Sequence, residues 1–369
     1  MAKLESLTVR GFKSIRSLED FKPGRLNVLI GANGAGKSNF ISLFHMLARV
    51  VEKRLQVYIA EQDGPDALLF GGRKRTGGIE IILSFGGDDN AGLTGRNSYS
   101  FSLVPTGNRL IFDQEERHFG NSVAFDLGSG HDESKLEILD EEVEDSFAHY
   151  IRSAIAEWRV YHFHDTSTAA PIRQLLAVRD NLLLKSGGDN LGPYLRQLHE
   201  QYPDHYLKIV ETVQLAAPFF GGFVYRKDLD ENMELEWFQA DDPDTVLGPR
   251  QLSDGTLRFI CLATLLLQPA QLQPELILID EPELGLHPYA LTLLAEMLQQ
   301  ASDARQLIVS TQSADLISHL DPENVVVVNR KDGASIFERL DEEDLSDWLE
   351  DYSLGELWKM NIFDGRPAE

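Results

Sequence analysis

The chain has 369 residues, 43% hydrophobic and 25% charged, the balance of an ordinary globular protein with room for a large α/β core and an inserted lobe. Its 34 Lys and Arg against 59 Asp and Glu leave a net charge of −25, which repels polyanions at long range and argues against general, sequence-independent coating of DNA. No apolar run approaches the roughly 18 residues of a membrane helix, and the N-terminus MAKLESLTVRGFKSI alternates like a strand, so a cytoplasmic protein with no membrane partner is expected.

In chain order, Leu4 to Val9 alternates apolar and polar residues and reads as a strand, and Leu26 to Ile30 is an apolar strand running into a glycine-rich loop. That loop, Gly31-Ala32-Asn33-Gly34-Ala35-Gly36-Lys37-Ser38, fits G-x-x-x-x-G-K-[ST] in the strand-loop-helix context that the motif requires. Without side chains at the glycines, successive backbone N–H groups converge on phosphates, and the helix that follows adds its positive end. The residue types assign phosphate neutralisation to Lys37 and a Mg²⁺ bond to the Ser38 hydroxyl, with Gly31, Asn33, Gly34, Ala35, Gly36 and Asn39 completing the ATP-binding set. Phe40, Leu43, Phe44, Leu47 and Val50 recur at helical spacing and mark the helix.

Arg73-Lys74-Arg75, flanked by glycines, is the densest basic cluster and reads as a solvated turn, with local DNA contact as the alternative. Residues 78 to 112 carry apolar runs punctuated by Gly, Asn and Asp, the pattern of antiparallel strands. An acidic helix is expected from Lys135 to Trp158, another helix near Pro193 to Gln201, and a loop at residues 241 to 245. His162, His164 and Asp165 in YHFHDTS occupy alternate strand positions and read as paired polar residues, with metal binding as the second reading. The lone Cys261, inside FICLATLLL, reads as core packing.

The apolar run Leu276 to Ile279 ends in Asp280-Glu281. Strand alternation points the two carboxylates differently, which suits Asp280 to the Mg²⁺ shell and Glu281 to activating the water that attacks the γ-phosphate. With Leu307 to Val309 and Val325 to Val328, this run implies parallel strands buried on both faces. Leu354, Leu357 and Trp358 near the C-terminus read as core packing, with partner docking as the alternative.

Leu252-Ser253-Asp254-Gly255, preceding an apolar helical run, resembles the LSxG signature of ABC-type ATPases. The resemblance implies that Ser253 and Gly255 of one copy close over the phosphates bound to another, an ATP-dependent homodimer. LTVRGFKSI followed by GANGAGKSNF resembles the opening of RecF and SMC-like ATPases, which implies that Lys13 and Ser14 lie near the nucleotide. DEPELGLHP resembles the Walker B and D-loop of bacterial AAA-family ATPases related to overcoming-lysogenization-defect proteins, and YSLGELWKMNIFDGRP resembles the end of a family of ATPases of this length. Relatives place a histidine at the position of Gln312; glutamine donates to a phosphate oxygen but cannot be protonated, which implies slow hydrolysis. Gln56, Gln62 and Gln114 all stand at plausible positions for the glutamine loop.

The expected fold is an ABC-type P-loop head: a mixed, largely parallel central sheet, an antiparallel β subdomain, and an inserted, mainly helical lobe. The expected boundaries are 1–130, 131–245 and 246–369. From Lys37 to Ser253 is 216 residues, far more than the compact transporter cassette that the resemblance would imply, and no heptad run supports a long coiled-coil arm. Two functions follow: an ATPase whose dimerisation cycle drives DNA repair or defence against foreign DNA, or a slow nucleotide-gated scaffold for a separately encoded protein effector such as a nuclease.

Overall fold

The computed structural model describes residues 3–86, 97–118, 124–136, 146–226 and 231–363. The chain divides into two compact units, one of Met1–Arg159, Glu323–Asp341 and Asn361–Glu369, the other of Val160–Pro322 and Glu342–Met360.

In the first unit the alternating N-terminal segment forms the strand Leu4–Phe12, with Leu4, Leu7 and Val9 buried. It pairs antiparallel with Ile15–Phe21 on one side and Ile79–Phe85 on the other, and the sheet continues through Asn97–Thr106 and Arg109–His118 to Phe125–Gly128. A second set of strands carries the phosphate loop. Leu26–Ile30, buried at every residue, runs parallel to Val325–Lys331, which turns back antiparallel into Ala334–Arg339. The helix Lys37–Val51 buries the apolar stripe expected of it, and the Phe40 ring sits 5.5 Å from Phe21, 5.4 Å from Phe44 and 5.2 Å from Phe337.

The acidic helix begins later than its composition suggests, at Ser146, and ends at Ala156; residues 137–145 lie outside the described residues. Lys135 is not helical because a buried carboxyl group captures its N–H, and the Leu136 N–H goes to Ser134 Oγ (3.1 Å). Glu115, fully buried in the antiparallel sheet, accepts hydrogen bonds from Tyr99 Oη (2.6 Å), Ser134 Oγ (2.5 Å), His131 Nε2 (2.8 Å) and the Lys135 N–H (2.9 Å). A carboxyl group buried in a sheet must be satisfied this fully, and the requirement overrides helix propensity.

In the second unit, Leu276–Asp280 and Gln306–Thr311 pair in parallel, bringing Asp280 opposite Ser310. The helices Asp254–Leu267 and Pro288–Ser302 bury their apolar faces, and Leu191–Gln201 and Pro203–Ala216 form a hairpin of helices beside a three-stranded antiparallel sheet. Of residues 241 to 245, expected as a loop, Asp241 lies in a turn and the rest belong to the strand Asp242–Leu247, which pairs with Glu236–Gln239. It is the sheet's edge, where exposed acids and Pro243 are tolerated because one side of the strand needs no partner. His162, His164 and Asp165 lie in a loop, not on a strand. Near the C-terminus Leu354, Leu357 and Trp358 are buried in the helix Leu354–Met360, whose Gly355 meets the helix Ala314–Ile317 so closely that an added Cβ would lie 2.1 Å from the Ala314 carbonyl oxygen; the DGRP end of that stretch is outside the described residues. Cys261 is buried, and that burial pushes its thiol pKa up. Among the described residues no helix is long and apolar enough to cross a membrane.

Candidate nucleotide site

The buried strand Leu26–Ile30 delivers the chain to a loop whose tip, Asn33 and Gly34, is exposed, while Gly31, Ala35 and Gly36 are buried. Gly36 has φ of 121°, and a Cβ there would lie 2.0 Å from Ser335 Oγ and 2.7 Å from Ser14 Oγ, so only glycine fits. The Lys37 ammonium folds back over the loop and donates to the carbonyls of Gly31 (2.6 Å) and Ala32 (3.2 Å). Ser38 is exposed at the first turn of a 15-residue helix. Glycine cradle, ammonium and helix N-terminus form a donor set that fits a polyphosphate.

Behind the loop runs a hydrogen-bonded row. Asn39 Nδ2 donates to Ser14 Oγ (2.8 Å), Ser14 Oγ is 2.7 Å from Ser335 Oγ, and Ser335 Oγ donates to the Ala35 carbonyl (2.5 Å). Lys13, held at φ 47°, donates to Gln62 Oε1 (3.0 Å), and burial lowers its pKa from the ordinary 10.5. Lys13, Ser14, Asn39 and Gln62 line a cleft of about 640 Å³ together with Phe70 and Arg330. Arg330 also donates to the Gly34 carbonyl (3.2 Å). Of the three glutamines at plausible positions, only Gln62 lines this cleft; Gln56 donates to the carbonyls of Leu110 and Asp132, and Gln114 to Glu116.

In the second unit the carboxylates stand at the end of Leu276–Asp280. Asp280 Oδ1 accepts from Ser310 Oγ, and Glu281 takes φ of 46°, a left-handed conformation that a non-glycine residue holds only under constraint, pinned by its N–H to the Ser310 carbonyl (2.9 Å). Gln312 reaches this pair: its Nε2 donates to Glu281 Oε1 and its backbone N–H to Glu283 Oε1 (2.8 Å). Burial raises the Glu283 pKa above the ordinary 4.5.

The Ser253 turn is exposed. Ser253 caps the helix Asp254–Leu267, its Oγ accepting the Thr256 N–H (3.1 Å). Gly255 lies against Gly285, so that a Cβ on Gly255 would come within 2.2 Å of the Gly285 carbonyl oxygen. Two arginines that carry no motif signal organise this region. Arg173, buried, donates to the Thr166 carbonyl (2.8 Å), the Leu252 carbonyl (3.2 Å), the Pro249 carbonyl and Asp254 Oδ1 (2.7 Å); Arg258 donates to the carbonyls of Phe163 (3.0 Å), Leu284 (2.9 Å) and His164 (2.9 Å). His164 joins no group of three or more candidate metal ligands among the described residues; its Nε2 donates to the Asp280 carbonyl (3.1 Å). Of the basic turn, Arg73 is paired with Asp66 (2.9 Å).

Residues 26–318 match the family described as "AAA domain, putative AbiEii toxin, Type IV TA system". The chain belongs to this family. Among curated relatives of this AAA-family chain, a "Putative ABC transporter ATP-binding protein" of Methanosarcina acetivorans is 31% identical over 81 residues, 22% of this chain; the match spans 28% of that relative's length. Among solved structures, an SMC head bound to the C-terminal winged-helix domain of ScpA superposes with a TM-score of 0.60 at 16% identity, covering 93% of this chain and 99% of the other. The SMC head of Pyrococcus furiosus with an extended coiled coil, bound to the C-terminal domain of ScpA, gives 0.56 at 15%, covering 95% and 99%, and the SMC head from Thermotoga maritima gives 0.52 at 15%, covering 92% and 99%. At these identities the likeness is one of fold. The AAA-family chain has the α/β head fold of RecF and SMC-like, ABC-type P-loop ATPases, with its mixed and antiparallel sheets.

Proposed function

We propose that this AAA-family chain binds ATP with Mg²⁺, hydrolyses it, and cycles through a head-to-tail homodimer in which the Ser253 turn of one copy closes on the triphosphate held by the phosphate loop of another. The observation that carries the reading is that Ser253 and Asp254 are exposed at the N-terminal, partly positive end of a 14-residue helix, a surface that a second copy can reach. On the phosphate-loop side Gly34, Gly36 and Lys37 cradle the anion and Ser38 offers a hydroxyl; on the carboxylate side Asp280 offers the second Mg²⁺ bond. Bound Mg²⁺ supplies charge neutralisation at the phosphate oxygens. Glu281 accepts the proton of the attacking water, and its pinned backbone fixes the direction of attack.

Glu281→Gln spares nucleotide binding and removes the base, so it is expected to accumulate as an ATP-bound dimer on sizing; an exclusively monomeric variant in ATP and Mg²⁺ would sink the head-to-tail mechanism.

A specific contact favours slow turnover. The Gln312 amide donates to Glu281 Oε1 and cannot itself be protonated, so it positions this carboxylate without relaying a proton. A slowly hydrolysing, nucleotide-gated scaffold for a protein effector such as a nuclease is therefore the second reading, and the net charge of −25 suits a protein partner better than bare DNA. The family's description names a toxin of a toxin–antitoxin system, which supports a role in defence over one in housekeeping repair. Turnover stimulated by DNA would favour the first reading; a copurifying effector without such stimulation, the second.

A further inference from the structure

The loop that follows Tyr161 touches three parts of the second unit that the proposed reaction uses. His164 Nε2 lies 3.1 Å from the Asp280 carbonyl oxygen, and because a carbonyl only accepts, the imidazole is the donor. Arg258, on the helix that Ser253 caps, gives its three guanidinium nitrogens to the carbonyls of Phe163, His164 and Leu284. Nine residues beyond His164, Arg173 gives all of its own to the Thr166 carbonyl within the loop and to the Pro249 carbonyl, the Leu252 carbonyl and the Asp254 carboxylate, which flank Ser253. His164, Arg258 and the Asp280–Glu281 end also enclose a space of only about 10 Å³, room for one water at most. Guanidinium groups this fully committed to main-chain oxygens and one carboxylate fix loops in place; they are not displayed to a ligand.

We propose that residues 163–173 form a coupling strap, fastening the Asp280–Glu281 end of the strand to the Ser253 turn, with His164 and Arg173 as positioning residues at its two ends. A shift of the Asp280 main chain would be passed to His164 through their hydrogen bond, and the arginines would carry it to the Ser253 turn. In the head-to-tail dimer, on which this inference rests, the Asp280 end serves a copy's own nucleotide and the Ser253 turn serves its partner's. The strap therefore makes the two nucleotide sites of the dimer report on each other.

The test reads the strap in single copies. Hydrogen exchange of the full chain, diluted until sizing shows only monomer, is followed at residues 31–38 and 250–258 with and without ATP and Mg²⁺. In the parent protein both segments change protection. His164→Ala, at an exposed position that leaves folding intact, is expected to keep the change at 31–38 and lose it at 250–258, while His164→Gln, which retains an N–H donor, restores it. The same His164→Ala variant is expected to lower maximal turnover by about tenfold, with nucleotide affinity within about twofold of the parent. An equal response at 250–258 in parent and His164→Ala, or none in the parent, overturns the strap. Failure of the dimer reading shows elsewhere, as a Glu281→Gln protein that stays monomeric with ATP.

Discussion

Gln312 holds the carboxylate of Glu281 with its side chain and Glu283 with its backbone, so a single residue sets the direction of the group proposed to activate water. Direction matters because a base out of reach of its proton does nothing. Gln312→Ala is therefore expected to slow turnover on the order of tenfold with ATP affinity within about twofold, and steady-state rates beside nucleotide titration check it; unchanged turnover removes Gln312 from the site. The residues that could be read directly from the chain are those whose chemistry is contiguous: the phosphate loop, the Asp280-Glu281 pair and the Ser253 turn. Arg173 and Ser335 could not be read in this way, and Gln62 only as one of three candidates. Their partners are main-chain oxygens or side chains distant in the chain, so no local pattern records them: Arg173 acts on residues 249 to 254, and Ser335 on Ser14 and Ala35.

Among the elements, the helix Asp254–Leu267 carries two duties through one residue. Ser253 caps it, and capping by Ser or Asp is nearly equivalent, whereas loss of the cap costs about 1 kcal/mol. Ser253→Asp thus separates the duties: thermal unfolding is expected within about 2 °C of the parent, because the cap and the helix dipole are kept, while an added carboxylate facing a triphosphate suppresses ATP-dependent dimerisation by at least about tenfold. A stable dimer in this variant on sizing would place the turn away from the nucleotide. Elements with a strong apolar period appear where the residues put them, as the strand Leu26–Ile30 and the helix Lys37–Val51 do. Two others were hidden by tertiary effects. The strand Asp242–Leu247 is an edge whose side chains are mostly exposed, so it lacks an apolar signature, and the demand of buried Glu115 stops Lys135 from starting a helix.

For the molecule as a whole, the governing quantity is a net charge of −25, which every homodimer doubles. Raising salt from about 50 mM to about 300 mM shortens the Debye length from roughly 14 Å to roughly 6 Å, so association of Glu281→Gln protein with ATP should accelerate several-fold, as stopped-flow scattering would record. Slower association at high salt would mean that local complementary charges outweigh the global repulsion. Fold class was legible at this scale because the order of motifs and the strand-helix alternation constrain topology, but the interleaving of the two units was not. The first unit takes its strands Val325–Lys331 and Ala334–Arg339 from the far end of the chain, and Ser335 there donates its N–H to the Ser14 carbonyl (2.8 Å) and its hydroxyl to Ala35. During synthesis, then, the glycine cradle emerges from the ribosome early but waits for the buttress behind it until some 300 further residues have been translated. A nascent chain stalled before Val325 presents an unsupported loop, and the capacity to hold nucleotide arrives only once Ser335 has been made.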